Sequence, residues 1–173
     1  DDTLDGGSEN DTIMGGLGND SILGGSGSDS IIGDADNDTI HGNDDNDSIQ
    51  SGVGADSVFG DAGNDTIDAD IGNDSVYGGS GADSLSGSGG NDLIYGDDTV
   101  AGALDGDDTI SGGIGADTVH AGGGNDSVDG GADNDSLLGD AGNDTMQGGS
   151  GNDTLDGGAG IALLFGGTGS DQF

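Results

Sequence analysis

The 173-residue sequence predicts an all-β solenoid, built from stacked 18-residue coils that carry two short-stranded parallel sheets. Three observations lead there. The chain repeats every nine residues along almost its whole length; 43 residues are glycine and none is proline; and 36 acidic residues face no lysine or arginine, for a formal net charge of −36. An ordinary globular core is out of reach, because hydrophobic residues make up only 28% and aromatics 3%. Alone in water such a chain repels itself and stays open. Something positive has to enter before it folds. Basic charge to meet phosphates is missing, so nucleic acid is excluded as a partner, and the absence of cysteine excludes a disulfide scaffold. No apolar run approaches the roughly 20 residues of a membrane-spanning helix, so membrane insertion is not expected.

The repeat is read most easily from Gly6, Gly-Gly-Ser-Glu-Asn-Asp-Thr-Ile-Met, and from Gly15, Gly-Gly-Leu-Gly-Asn-Asp-Ser-Ile-Leu. Units then begin at 24, 33, 42, 51, 60, 69, 78 and 87 without a slip. One longer unit, Gly96 to Ser111, carries a seven-residue insertion at about 98–104; phase resumes at Gly112 and continues through units starting at 121, 130, 139, 148 and 157. Residues 1–173 read as one array, cut inside units at both ends and so an excerpt of a longer chain. No basic-then-apolar leader opens it.

Within each unit the first, second and fourth positions are mostly glycine, with Asp34, Asn43, Asp61, Asp70, Asp97 and Asp140 substituting at the second. These residue types tolerate positive φ, so the first six positions predict a tight turn. The last three positions, Ser or Thr, an aliphatic residue and a variable one, predict a three-residue strand. The eighth position is apolar in all nineteen units, from Leu4, Ile13 and Ile22 to Leu155, Leu164 and Phe173. Strand, turn, strand, turn closes a coil in 18 residues, and the eighth-position side chains of the two sheets meet in a core one residue thick.

The sixth position is aspartate in eighteen of the nineteen units: Asp2, Asp11, Asp20, Asp29, Asp38, Asp47, Asp56, Asp65, Asp74, Asp83, Asp92, Asp108, Asp117, Asp126, Asp135, Asp144, Asp153 and Asp171. Only Ala162 breaks the column. Residues 18 apart lie above one another in such a stack, and unscreened carboxylates under about 5 Å apart repel by roughly 1 kcal/mol per pair even in water. Two columns of them make physical sense only with a cation between each pair. Every available donor is an oxygen, either a carboxylate or a turn carbonyl, which selects Ca²⁺ over zinc or copper. Sixteen stacked Asp–Asp pairs exist, of which the insertion is expected to spoil one. About fifteen Ca²⁺ would bring about +30, close to the charge they offset.

The pattern Gly-Gly-x-Gly-Asn-Asp-Ser/Thr-aliphatic-x resembles the RTX (repeats-in-toxin) nonapeptide, and the resemblance covers the whole chain. It implies a right-handed parallel β-roll solenoid in which the sixth-position aspartates and the turn carbonyls bind Ca²⁺. It also implies export, generally by type I secretion from a Gram-negative bacterium, with folding on external calcium and hence an extracellular or cell-surface location. Two departures are local. Glu9, Asp36, Asp45 and Asp133 replace the fourth-position glycine, and the unit from Gly157 to Phe165, without its aspartate, is expected to bind no calcium.

Nothing else in the sequence points to chemistry. Asp34-x-Asp36-x-Asp38 begins like an EF-hand, but Thr39 stands where that loop requires glycine. Ten Asn-Asp-Ser/Thr triplets match a glycosylation sequon only because the repeat generates them. His41 and His120, the two histidines, have no nucleophile beside them. The segment is therefore expected to be no enzyme, but a calcium-binding structural or adhesive segment of an exported protein; the alternative is the C-terminal secretion and folding module of an RTX enzyme or toxin. Neighbouring domains of the longer chain are expected partners. A second surface follows from the ninth positions of every other unit, where Leu23, His41, Phe59, Tyr77, Tyr95, His120 and Leu138 share one outer face. Self-association into filaments or sheets is expected through that face, by Leu23, Phe59, Tyr77, Tyr95 and Leu138.

Overall fold

A computed structural model describes residues 1–97 and 105–173. Among the described residues the chain forms twenty strands and no helix. In chain order they begin with β1 (Thr3–Ser8), β2 (Thr12–Leu17), β3 (Ser21–Ser26), β4 (Ser30–Ala35), β5 (Thr39–Asp44), β6 (Ser48–Val53) and β7 (Ser57–Ala62). There follow β8 (Thr66–Asp68), β9 (Ser75–Ser80), β10 (Ser84–Gly89), β11 (Leu93–Asp97), β12 (Thr109–Ile114), β13 (Thr118–His120) and β14 (Ser127–Ala132). The last are β15 (Ser136–Leu138), β16 (Ala141–Gly142), β17 (Thr145–Ser150), β18 (Thr154–Asp156), β19 (Ala159–Gly160) and β20 (Leu163–Thr168).

Alternate strands pair, as an 18-residue coil demands. One nine-stranded sheet runs β1-β3-β5-β7-β9-β11-β13-β15-β18 and the other β2-β4-β6-β8-β10-β12-β14-β17-β20; β16 and β19 make a small third ladder. All pairings are parallel and in strict register, Ile22 beside Ile40 in the first sheet and Ile31 beside Ile49 in the second. The chain is thus a β-solenoid of about nine turns. Inside, the eighth-position side chains from Ile13 to Leu155 form the buried core, with Leu4 and Leu164 packed half-buried at its ends. First-position side chains also point inward, and where glycine is replaced there, Ser51, Ala69 and Ala121 are fully buried.

The strands are longer than expected. Most run six residues, from the seventh position of one unit to the third of the next, instead of three. The sequence signal for a turn is real, since the second position has positive φ at Gly16 (101°), Asp34 (80°) and Asp61 (71°). It does not end the ladder because every coil bends at the same place: Gly16 stays beside Asp34, and Asn43 beside Asp61. A bend repeated at each level leaves neighbouring backbones parallel, so their hydrogen bonds survive it. At the fourth position the reason for glycine is close approach. A Cβ on Gly72 would run into the carbonyl oxygen of Gly54 one coil before it.

The insertion at 98–104 lies outside the described residues. On either side of it both sheets keep register, with Leu85 beside Ile110 and Ile94 beside Val119.

Candidate metal centres

The sixth-position aspartates stack as two columns on opposite turns of the roll. In each, the backbone N–H of one aspartate donates to Oδ1 of the aspartate one coil later: Asp20 to Asp38, Asp38 to Asp56 and Asp56 to Asp74, all at 2.8 Å. The same bond joins Asp2 to Asp20 at one end and Asp153 to Asp171 at the other. It also crosses the insertion in both columns, from Asp83 to Asp108 (2.8 Å) and from Asp92 to Asp117 (2.9 Å). All eighteen aspartates named from the sequence therefore belong to the two columns, and all sixteen stacked pairs are joined. The second column stops at Asp144, because Ala162 brings a methyl group where its successor would be.

From Asp20 onward every carboxylate of the columns accepts such a bond at Oδ1, and its other oxygen is a different matter. In sixteen of the eighteen aspartates, all but the terminal Asp2 and Asp171, Oδ2 is buried with no hydrogen-bond partner. Native proteins rarely bury polar atoms unpartnered. Near these oxygens stand a first-position glycine and a carbonyl oxygen of the next coil. The space where a Cβ of Gly15 would sit lies 2.7 Å from Asp20 Oδ2 and 2.9 Å from the Gly33 carbonyl oxygen of the next coil; at Gly24 the corresponding distances to Asp29 Oδ2 and the Gly42 carbonyl are both 2.6 Å. Cδ1 of Ile22 (3.1 Å) and of Ile31 (3.2 Å) close the same two spaces from the core side, so each of these carboxylate oxygens meets a carbonyl and a methyl group and no donor. A proton or a cation is what would satisfy it.

The carboxyls register the same conflict. Burial pushes Asp108 up to about 8, and Asp83, Asp92 and Asp135 to about 7, against the backbone N–H bond that lowers each. Asp47, Asp74 and Asp126 rise to about 6 for the same reason, and the neighbouring carboxylates of the column push in the same direction. A hard cation held between coils would remove the burial penalty and the repulsion together. The donors fit Ca²⁺: two carboxylates and several carbonyls per level, no sulfur and no imidazole. Among the described residues no three His, Cys, Asp or Glu side chains converge. Each centre must therefore complete its shell with backbone oxygen, as the glycine turns allow.

Three features escaped the sequence reading. Fifth-position asparagines form a further ladder in which Oδ1 of Asn19 accepts the N–H of Asn37, and Oδ1 of Asn37 that of Ala55. It reaches in the opposite direction to the aspartate ladder, so the turn is held from both sides. Asp97, an acid at the second position, is buried; its two carboxylate oxygens accept N–H bonds from Gly106 (3.1 Å) and Gly123 (2.7 Å). A file of aliphatic residues, the exposed Leu17, Val53 and Ile71 with the half-buried Ala35, also runs along one turn, each in register with the next. The first and third would have shown as columns had the units been aligned two at a time.

A parallel β-solenoid whose turns hold two columns of stacked carboxylates with unpartnered, buried oxygens defines a calcium-binding repeat rod. The comparison with protein families gives the same answer from sequence: the model for the RTX calcium-binding nonapeptide repeat (four copies) matches at 1–31, 23–58, 32–67, 41–76, 68–100, 102–137, 129–162 and 138–173. The chain belongs to the RTX calcium-binding nonapeptide repeat family. No curated protein matches it.

Proposed function

We propose that this chain is a structural or adhesive rod of an exported, extracellular or cell-surface protein, without catalytic activity of its own, and that it folds only when Ca²⁺ fills the two aspartate columns. The single observation that carries this is the set of sixteen buried, unpartnered carboxylate oxygens on a chain without a lysine or arginine. The eighteen sixth-position aspartates hold the ions with help from the glycine-turn carbonyls. Because the pairs flanking the insertion keep their bond, sixteen ions are expected, one more than the sequence alone suggested. The sites exist only in the stacked state, so binding free energy becomes folding free energy. Extracellular calcium modules bind at about 10⁻⁴ to 10⁻³ M, which would keep the chain open inside a cell and fold it outside. Circular dichroism in EGTA and then in millimolar Ca²⁺ tests this: β signal should appear only with calcium, and β signal persisting in EGTA at neutral pH would refute it. Calorimetric titration should give a stoichiometry near sixteen.

A further inference from the structure

The ninth-position residues of the first sheet form a continuous ring ladder. His41 stacks on Phe59 with centroids 4.4 Å apart, Phe59 on Tyr77 at 4.8 Å, Tyr77 on Tyr95 at 5.2 Å and Tyr95 on His120 at 4.8 Å; every pair is within 12° of parallel. Leu23 lies in register beyond His41 and Leu138 beyond His120, so both end faces of the stack meet aliphatic neighbours. The ring faces are consumed by each other and only ring edges are turned outward. Sugars and flat heterocycles, which need an open ring face, do not suit such a surface. A flat protein face does.

Two facts decide whose face. From Leu23 to Leu138 the file holds no acid, on a chain of 36 acids, and the acids beside it are engaged: His41 Nδ1 lies 2.8 Å from Asp61 Oδ2, which also accepts from Asn43, and His120 Nδ1 lies 3.7 Å from Asp140 Oδ2. The order of the file is also nearly self-complementary. Asp5, Leu23, His41, Phe59, Tyr77, Tyr95, His120, Leu138 and Asp156 pair in sequence along the sheet. Reversed about Tyr77, leucine falls on leucine, histidine on histidine and ring on ring, with the acids at the rim.

We propose that two calcium-loaded copies of this chain pair antiparallel, face to face, across a two-fold axis at Tyr77. Such an isologous contact closes on itself. Seven strands, β3 to β15, at about 4.8 Å spacing and averaging about five residues at about 3.3 Å give a face of about 34 by 17 Å. Covered on both copies, that is about 1,100 Å², just above the roughly 1,000 Å² that a specific interface needs. The proposal rests on calcium filling the columns, since sixteen ions would bring the charge from −36 to about −4 and let two copies approach.

The chain has no cysteine, so single cysteines report geometry cleanly. Leu23→Cys and Leu138→Cys chains of different mass are mixed in millimolar Ca²⁺ under mild oxidation, with circular dichroism taken on each. The mixed disulfide dimer should exceed either homodimer at least tenfold. Tyr77→Asp in both chains should reduce it at least tenfold with the dichroism unchanged, because Asp68 and Asp129 already occupy ninth positions of the other sheet. Folded chains that give only homodimers, or that cross-link no more than the Tyr77→Asp pair, overturn the antiparallel dimer and leave the calcium reading standing. Chains that fail to fold in calcium overturn both.

Discussion

The inside of the roll is the same on both sheets and the outside is not. At the eighth position Ile40, Val58 and Val76 in one sheet match Ile49, Ile67 and Leu85 in the other, and all are buried. At the ninth position the first sheet carries the ring ladder, whereas the second carries Gln50, Asp68, Ser86, Ser111 and Asp129 through its middle, paired in the same register. The backbone therefore makes no demand on the ninth residue. Packing and ions dictate the sixth and eighth positions, and the outer files are free to differ. A difference between two files built on identical scaffolds reports what each face meets.

The comparison breaks most completely where the inner columns lose their charge. Without calcium, the buried carboxyls of Asp47, Asp74, Asp83, Asp92, Asp108, Asp126 and Asp135 sit at about 6 to 8 in the folded chain, against about 3.9 in the unfolded one. The folded state then binds more protons than the unfolded state. Its stability is fully present below about 4 and is lost as pH rises through 6 to 8. In EGTA the chain should thus gain β dichroism near pH 4.5 and lose it on titration to pH 8, acid standing in for calcium. An unchanged coil spectrum across that range would show that carboxyl burial is not what opposes folding.

A smaller effect is expected from one carboxylate. Asp74 belongs to two stacked pairs, with Asp56 and with Asp92. Asp74→Ala should lower the calorimetric stoichiometry by two ions and raise the calcium midpoint of folding several-fold. Ser86→Ala, on the outer file of the second sheet, should change the midpoint by less than a factor of two. Equal effects would mean that inner and outer positions are not distinct in the way the structure implies.

How far the sequence could be read follows the same division. Everything tied to a nine-residue period was legible: the aspartate columns, the aliphatic core, the sheet pairing and the phase across the insertion. Each of those positions meets the same constraint in every unit, so the repetition is visible in a single chain. Strand length was misjudged because Asp34 or Gly52 at positive φ looks like a chain reversal, and only the stack shows that neighbours bend together. The fifth-position asparagines were visible only as part of sequon-like triplets that the repeat generates, and their ladder emerges once coils are stacked. The aliphatic file was missed because Leu17, Val53 and Ile71 are separated by 18 or 36 residues, with Ser26, Asp44 and Ala62 on the opposite turn between them. All three are more than half exposed. The half-satisfied carboxylates needed coordinates, since which oxygen takes the N–H is a matter of angle.

The smallest effect should come from removing residues 98–104. Both aspartate columns and both sheets already pass this point in register, so the inner ladders are joined between the flanking residues themselves. Excising it joins Asp97 to Asp105 and leaves Gly-Asp-Asp-Gly-Asp-Asp-Thr-Ile-Ser, a nine-residue unit with its aspartate, Asp108, at the sixth position and Ile110 at the eighth. Asp97 at the second position is a substitution the repeat accepts elsewhere, at Asp34, Asp61 and Asp140, all with positive φ. Shortening the connection also lowers its closure entropy, a gain well under 1 kcal/mol because the cost grows only with the logarithm of length. The deletion should therefore leave the stoichiometry at its parent value and the calcium midpoint within a factor of two, or slightly lower. A chain that no longer folds in calcium, or that binds two ions fewer, would place residues 98–104 among the inner contacts and make the long unit a structural joint.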